Sequence, residues 1–324
     1  MARKVRLEYR GAFYHVINRG NYRSWIFETD GAKKSFLKCL KEAADAMNWR
    51  LHAWVLMSNH YHLCLETPDA NLVEGMSWVG STFSNRFNRL RRENGHVFQG
   101  RYKAIVLDGP AVGPVCHYIH LNPVRGGLVE AAALQTYWSS SFHQVWYPSR
   151  RWNALSAFTC LRESGPFSDS PGGRSAYRNF LNELSCDEKA QQRLGFDHLS
   201  HGWAKGDKAF RQGLLKELTD GELSSGVESD THELREELWE RDLKRALSCL
   251  GKKDSDLRVD AKSAVWKVSL ARYLRERKLS SNAWLARRLS MGTANSVSSL
   301  ISRHRKNDSE DKWWVLLANQ EIVD

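Results

Sequence analysis

The stretch SNHYHLCLET (58–67) sets His60 and His62 one residue apart at the start of an apolar run. In a strand, residues i and i+2 share a face. The two imidazoles therefore project together, while Tyr61, Leu63 and Leu65 point to the core. Paired imidazoles can chelate one divalent cation, but two ligands do not make a site. Taken alone, the doublet is more often two strand histidines facing water. Glu66 shares their face, yet at about 3.3 Å per residue it lies roughly 13 Å from His62, too far to share a metal. A better third donor stands in HYIHLNPVRGGLV (117–129), where Tyr118 and Asn122 fall at i and i+4 of a short helix and so on one side of it. Two imidazoles and one amide oxygen, with positions left open, suit a Mg²⁺ or Mn²⁺ that must also hold a phosphate oxygen. A phenol with a pKa near ~10 is a poor nucleophile at neutral pH, and a cation on the phosphate compensates by making phosphorus more electrophilic. Without the histidine pair, Tyr118 would read as a core aromatic. His117 and His120 fall on other sides of the helix, where packing or phosphate contact is the simpler role.

These side chains need a scaffold, and the hydrophobic pattern supplies one. GAFYHVINR (11–19) alternates as a strand. Residues 30–47 carry Phe36, Leu37, Leu40, Ala43, Ala44 and Met47 at helical spacing. LHAWVLM (51–57) and HYHLCLET (60–67) read as two strands joined at Ser58-Asn59. Asn71 could cap a helix running to about residue 91, and RYKAIVLD (101–108) is a further strand. GPAVGP (109–114) reads as a loop, and VCHYIHLN as a short helix stopped by Pro123. The fold class is therefore α+β, a ferredoxin-like split βαβ with an antiparallel sheet. The expected helices lie on one face, leaving the other free for an active site or a nucleic acid. The expected domains are residues 1–145 for the catalytic part, 146–257 for a linker and helical extension, and 258–324 for an all-α C-terminal module.

With 324 residues there is enough chain for one large or two modest cores. A net charge of +11 favours a polyanionic partner. Residues 1–150 hold 19 Lys/Arg against 11 Asp/Glu, residues 217–242 hold 10 acids against 2 bases, and residues 258–306 hold 12 bases against 2 acids. Two basic blocks around an acidic one suggest two contact regions. In the first, Arg19, Arg23, Arg86, Arg89, Arg101 and Lys103 are the candidate DNA-binding residues. The six cysteines form no CxxC pair and read as buried small residues. No apolar run approaches a membrane span, which gives the expectation of a cytoplasmic protein without a membrane partner.

HYH at 60–62 resembles the histidine–hydrophobe–histidine signature of HUH endonucleases. YIHLNPVRGGLV at 118–129 resembles the tyrosine helix of IS200/IS605-type single-tyrosine transposases, and more closely their REP-associated branch. YHVINRGNYR (14–23), FQGRYKAIVL (98–107) and GWAKGDKAFR (202–211) fit that branch too. The resemblance spans about residues 5–215. It implies Tyr118 as the nucleophile, His60 and His62 as metal ligands, and Asn122 as a third polar ligand. It also implies cleavage and rejoining of single-stranded, hairpin-bearing DNA through a 5′-phosphotyrosine link, by a monomer or a dimer. A DNA-binding regulator without catalysis and a replication or mobilisation nickase remain the competing expectations. Farther on, NAWLARRL (282–289), the turn SMGT and ANSVSSLISRHRK (294–306) read as a helix-turn-helix. Its second helix would offer Asn295, Ser298, Arg303 and Arg305 to duplex DNA.

Overall fold

In AFYHVINR (Ala12–Arg19, β1) the side chains alternate between two packed faces, and the rest of the N-terminal unit is built around that fact. The structure is a computed structural model that describes residues 7–163, 165, 167–219, 232–305 and 311–319. It divides into two compact units, Met1–Asp230 and Thr231–Asp324.

In the first unit the order is β1, α1 (Asp30–Ala46), β2 (Arg50–Leu56), β3 (His60–Thr67), α2 (Leu72–Arg91), β4 (Lys103–Leu107) and α3 (Gly109–Arg125). There follow α4 (Ser141–Trp146), α5 (Phe158–Glu163), α6 (Pro171–Cys186), α7 (Glu188–Arg193), a two-residue strand β5 (Ala204–Lys205) and α8 (Lys208–Thr219). The strands lie in the order β2-β3-β1-β4-β5. β1 through β4 pair antiparallel, and β5 joins β4 in parallel, so the sheet is mixed. The first four strands follow the split βαβ order expected from the sequence.

Register sorts the two faces. Tyr14, Val16, Leu63, Leu65 and Tyr61 share one of them, because Tyr14 pairs with Leu65 and Val16 with Leu63. This face meets an aromatic cluster from the helices: Phe36 of α1 lies 4.7 Å from Tyr61 and 5.3 Å from Phe83 of α2, ring centre to ring centre. His15, Ile17, His60, His62 and Cys64 share the other.

That second face is not free, which corrects the expectation of a one-sided sheet. It is covered by α3, whose residues from Val115 to Pro123 are all buried. GPAVGP is no loop either: Asp108 caps α3 by accepting from the Ala111 N–H at 2.9 Å, and the helix starts at Gly109. Pro110 in the first turn costs nothing, since no N–H is needed there. Pro114 and Pro123 each remove a helical hydrogen bond, a loss of about 3 kcal/mol apiece in an isolated helix. Burying Val112, Val115, Ile119 and Leu121 contributes about 1.5–3 kcal/mol each and outweighs it. The helix ends at Arg125 and is closed by Gly127 just beyond it, whose φ of +66° is the left-handed conformation. There Leu128 N–H reaches back to Pro123 O at 2.8 Å.

Helix α6 and the segment after it contribute to the core of this unit. Tyr177, Leu181 and Leu184 of α6, with Phe196 and Leu199, join Tyr118 and Ile119 in one core. Four cysteines are buried as expected, but Cys186 is exposed and Cys249 partly so.

The second unit is helical: α9 (His232–Cys249), α10 (Asp256–Val259), α11 (Val265–Glu276), α12 (Asn282–Arg288), α13 (Ala294–His304) and α14 (Lys312–Asn319). Its core joins Trp239, Leu243, Leu270, Leu274, Leu285, Val297 and Ile301. Ser281 caps α12 and Thr293 caps α13. Part of the basic block is neutralised inside the unit. Arg287 pairs with Glu236, and Arg288 pairs with Asp254 and, at 2.8 Å, with Glu240. No described helix is long and apolar enough to cross a membrane.

Candidate active site

The sheet face that carries the histidines meets the tyrosine helix directly. His62 is 3% exposed and Tyr118 of α3 is 8% exposed. Their rings stand edge-to-face with centres 5.5 Å apart, and the His60 and His62 rings are 5.1 Å apart. Asn122, one turn beyond Tyr118, donates from Nδ2 to the Tyr118 carbonyl at 3.0 Å, which leaves Oδ1 as its acceptor end. The structure therefore brings Tyr118 against His62, with His60 beside His62 and Asn122 one helical turn beyond the tyrosine.

A third histidine, which the sequence reading passed over, orders the site. His15 of β1 contacts His62 Nδ1 through its Nε2 at 2.9 Å, and its Nδ1 lies 2.9 Å from the Leu199 carbonyl. Burial pushes His15 down to about 4, with Lys103 and Lys205 adding to the shift, so it is neutral at pH 7. A neutral imidazole has one N–H, and a carbonyl can only accept. The His15 proton therefore sits on Nδ1, His62 must donate from its own Nδ1, and the lone pair of His62 is left on Nε2. His60 reaches the same state through Asn59, whose Oδ1 lies 2.7 Å from His60 Nδ1. Burial and the Arg19 charge push His60 down to about 4. Burial first, then His15, His60, Arg19 and Arg125, hold His62 well below the usual range. Two imidazoles with fixed tautomers and unprotonated Nε2 atoms are the donor set a divalent cation takes. Among the described residues no group of three His, Cys, Asp or Glu side chains is placed to hold a metal ion.

The phenol itself is held. Tyr118 Oη lies 2.8 Å from Ser200 Oγ, and the Arg125 guanidinium stands 5.1 Å from the Tyr118 ring centre. Lys103 Nζ donates to the Ser200 carbonyl at 3.0 Å. Phe196 packs edge-on to Tyr118 at 5.5 Å. The segment around residues 196–200 thus closes over the tyrosine. Arg125 was discoverable from spacing alone: residues 118, 122 and 125 are i, i+4 and i+7, one stripe of a helix. Ser200 and Leu199 carried no periodic signal.

His117 and His120 belong to the packing. Both approach the Tyr177 hydroxyl, at 3.1 and 2.8 Å, and His120 Nε2 is 2.8 Å from Ser141 Oγ. Ser141 in turn bonds both the N–H and the carbonyl of Trp54. Glu66 faces Arg50 at 3.4 Å rather than the histidines.

The candidate DNA-binding residues divide by position. Arg19 is exposed directly across the strand pair from His60, and Arg23 is exposed in the turn that follows. Lys103 lies on the histidine face, and Arg101 is exposed just before β4. Arg86 and Arg89 stand on α2, which covers the opposite face, and Arg86 is engaged with Glu42 at 3.3 Å. In the second unit Asn295, Ser298 and Arg303 are exposed on α13, whereas Arg305 is tied to Glu276 at 2.6 Å.

Residues 9–122 match the family described as "Transposase IS200 like". The matched span takes in β1 to β4, the three histidines, Tyr118 and Asn122. One solved structure, described as "Structure of the REP associates tyrosine transposase bound to a REP hairpin", is 19% identical, with a TM-score of 0.38 over 46% of this chain and 87% of that chain. No curated protein matches the chain. Residues 9–122 are thus similar to IS200-like transposases.

Proposed function

We propose that the protein is a metal-dependent tyrosine transposase or endonuclease. It would cleave and rejoin single-stranded DNA at hairpin-bearing sequences through a 5′-phosphotyrosine intermediate. The observation that carries the reading is the contact of Tyr118 with His62, one of a histidine pair whose tautomers leave both Nε2 lone pairs unprotonated. His60, His62 and Asn122 would hold Mg²⁺ or Mn²⁺. Bound there, the cation would polarise the scissile phosphate and offset the charge that develops on it.

Tyr118 Oη would attack phosphorus in line. The new P–O bond joins the 5′ side of the break to the tyrosine, and the bond to the 3′ oxygen breaks. The phenol loses its proton and the departing oxygen gains one, so the strand leaves as a 3′-OH. Because one phosphoester replaces another, a second 3′-OH can reverse the step without a nucleotide cofactor. Arg125 beside the ring would stabilise the phenolate as it forms, and Arg19 and Lys103 would attract the backbone toward the site. Arg23 and Arg101 would extend that contact, with Arg86 and Arg89 as a more distant phosphate contact. In the second unit, α12, the turn and α13 would act as a helix-turn-helix on the duplex part of the target, through Asn295, Ser298, Arg303 and Arg305.

The test is covalent trapping. Labelled single-stranded hairpin DNA is incubated with Mg²⁺ or Mn²⁺ and either wild type or Tyr118→Phe. A protein–DNA adduct with the wild type alone is expected. Binding without an adduct under either metal would favour a regulator that does not cut.

A further inference from the structure

The turn between β1 and α1, RGNYRSW (19–25), is built in an unusual way for a connection. Tyr22 and Arg23 are two successive non-glycine residues in the left-handed region, with φ of 51° and 59°. L side chains avoid that conformation, so neighbouring structure has to impose it. Gly20 N–H donates to Asn59 O at 2.8 Å, and Asn21 N–H to Val97 O at 2.9 Å. Asn59 Nδ2 donates to the Arg23 carbonyl at 3.2 Å. Phe27 N–H donates to Ser58 O at 3.0 Å, and Ile26 and Phe27 are buried beneath. Gly20 admits this fold because a Cβ there would lie 2.4 Å from the Ser24 carbonyl.

A turn held this firmly exposes two large aromatic rings. Tyr22 is 94% exposed and Trp25 is 60% exposed. Such exposure gains nothing for folding. The flanking charges Arg19 and Arg23 are exposed, and neither has a carboxylate partner among the described residues. The turn is also tied to the site: Asn59, which orients His60, carries the hydrogen bonds to Gly20 and Arg23. Rigid exposed aromatics between cations grip unpaired bases, since rings stack on bases while the cations hold the backbone.

We propose that Tyr22, with Trp25, is the stacking platform for the unpaired bases next to the scissile phosphate. The proposal rests on the single-stranded-DNA reading above and assigns the residues that hold the strand beside His60. The rings recognise any base by its face, so the platform sets position on the strand rather than sequence.

The experiment uses the full chain and a short oligothymidine carrying one 2-aminopurine, moved along the strand. Binding is read by anisotropy and stacking by quenching of the 2-aminopurine. Wild type should quench the probe at one or two adjacent positions. Tyr22→Ala should lose that quenching and bind about ten-fold more weakly, within the range of one lost base–aromatic stack. Tyr22→Phe should keep both. Tyr22→Gly removes the ring yet suits the left-handed backbone. It should melt no lower than wild type and still bind as weakly as Tyr22→Ala. Wild-type affinity and quenching in Tyr22→Gly and Trp25→Ala would overturn the platform and leave the single-strand reading standing. No binding of the oligothymidine by wild type would overturn both.

Discussion

His15→Phe keeps a ring of similar size and removes both nitrogens, so it isolates what the third histidine does. In the wild type the chain Leu199 C=O, His15, His62 consists of two buried hydrogen bonds of 2.9 Å each. The substitution leaves the Leu199 carbonyl and the His62 Nδ1–H without these partners. Each loss costs about 1–3 kcal/mol of stability. For a unit of this size, that lowers the melting temperature by about 2–4 °C per kcal/mol. The functional loss is separate. Once His62 can move its proton to Nε2, a fraction of molecules has no Nε2 lone pair for the proposed cation. Removing such an outer partner typically costs about 10–100-fold in metal affinity, or about 1.4–2.7 kcal/mol. Titration calorimetry with Mn²⁺ at pH 7 reads the affinity, and melting in chelator reads the fold. His15→Gln, whose amide can still accept from His62 Nδ1, should recover most of the affinity. If folded His15→Phe bound Mn²⁺ as tightly as wild type, the tautomer argument would be refuted.

Acid should destabilise the N-terminal unit through its buried neutral histidines. Burial pushes His117 and His120 down to about 3 and His52 to about 4, against about 6.5 when unfolded. Below pH 6.5 the unfolded chain binds more protons, so melting temperature should hold above that pH and fall between pH 6.5 and about 3; a flat profile would contradict it. Arg125→Gln removes the charge beside the Tyr118 ring. It should slow adduct formation about ten-fold or more with strand affinity within a few-fold, measured in single-turnover trapping. Arg303→Ala on α13 should weaken binding to a hairpin and spare binding to an unstructured strand, compared by anisotropy; equal loss on both would remove the duplex-reading role.

Alternation and helical spacing located every strand from β1 to β4 and both helices between them, because each signal is local and repeats with the period of its own element. They misjudged α3 for a physical reason. Gly109, Pro110, Gly113 and Pro114 have the composition of a loop, and only a helix buried along most of its length can tolerate them. Covering the sheet's second face is what gives that helix its burial, and the same act brings Tyr118 against His62. An open sheet face would have left the histidines in water, where neither burial nor His15 could fix their tautomers. The site therefore depends on the feature that local pattern missed. His15 was hidden for a related reason: in AFYHVINR it is one polar residue on an alternating strand, and its meaning comes from His62, 47 positions away, and Leu199, 184 positions away. Tyr118 and Asn122 were legible because a helical turn records their relation in four residues. Leu199 and Ser200 were not, since a carbonyl and a hydroxyl in an irregular segment acquire a role only once the core around Phe196 has placed them.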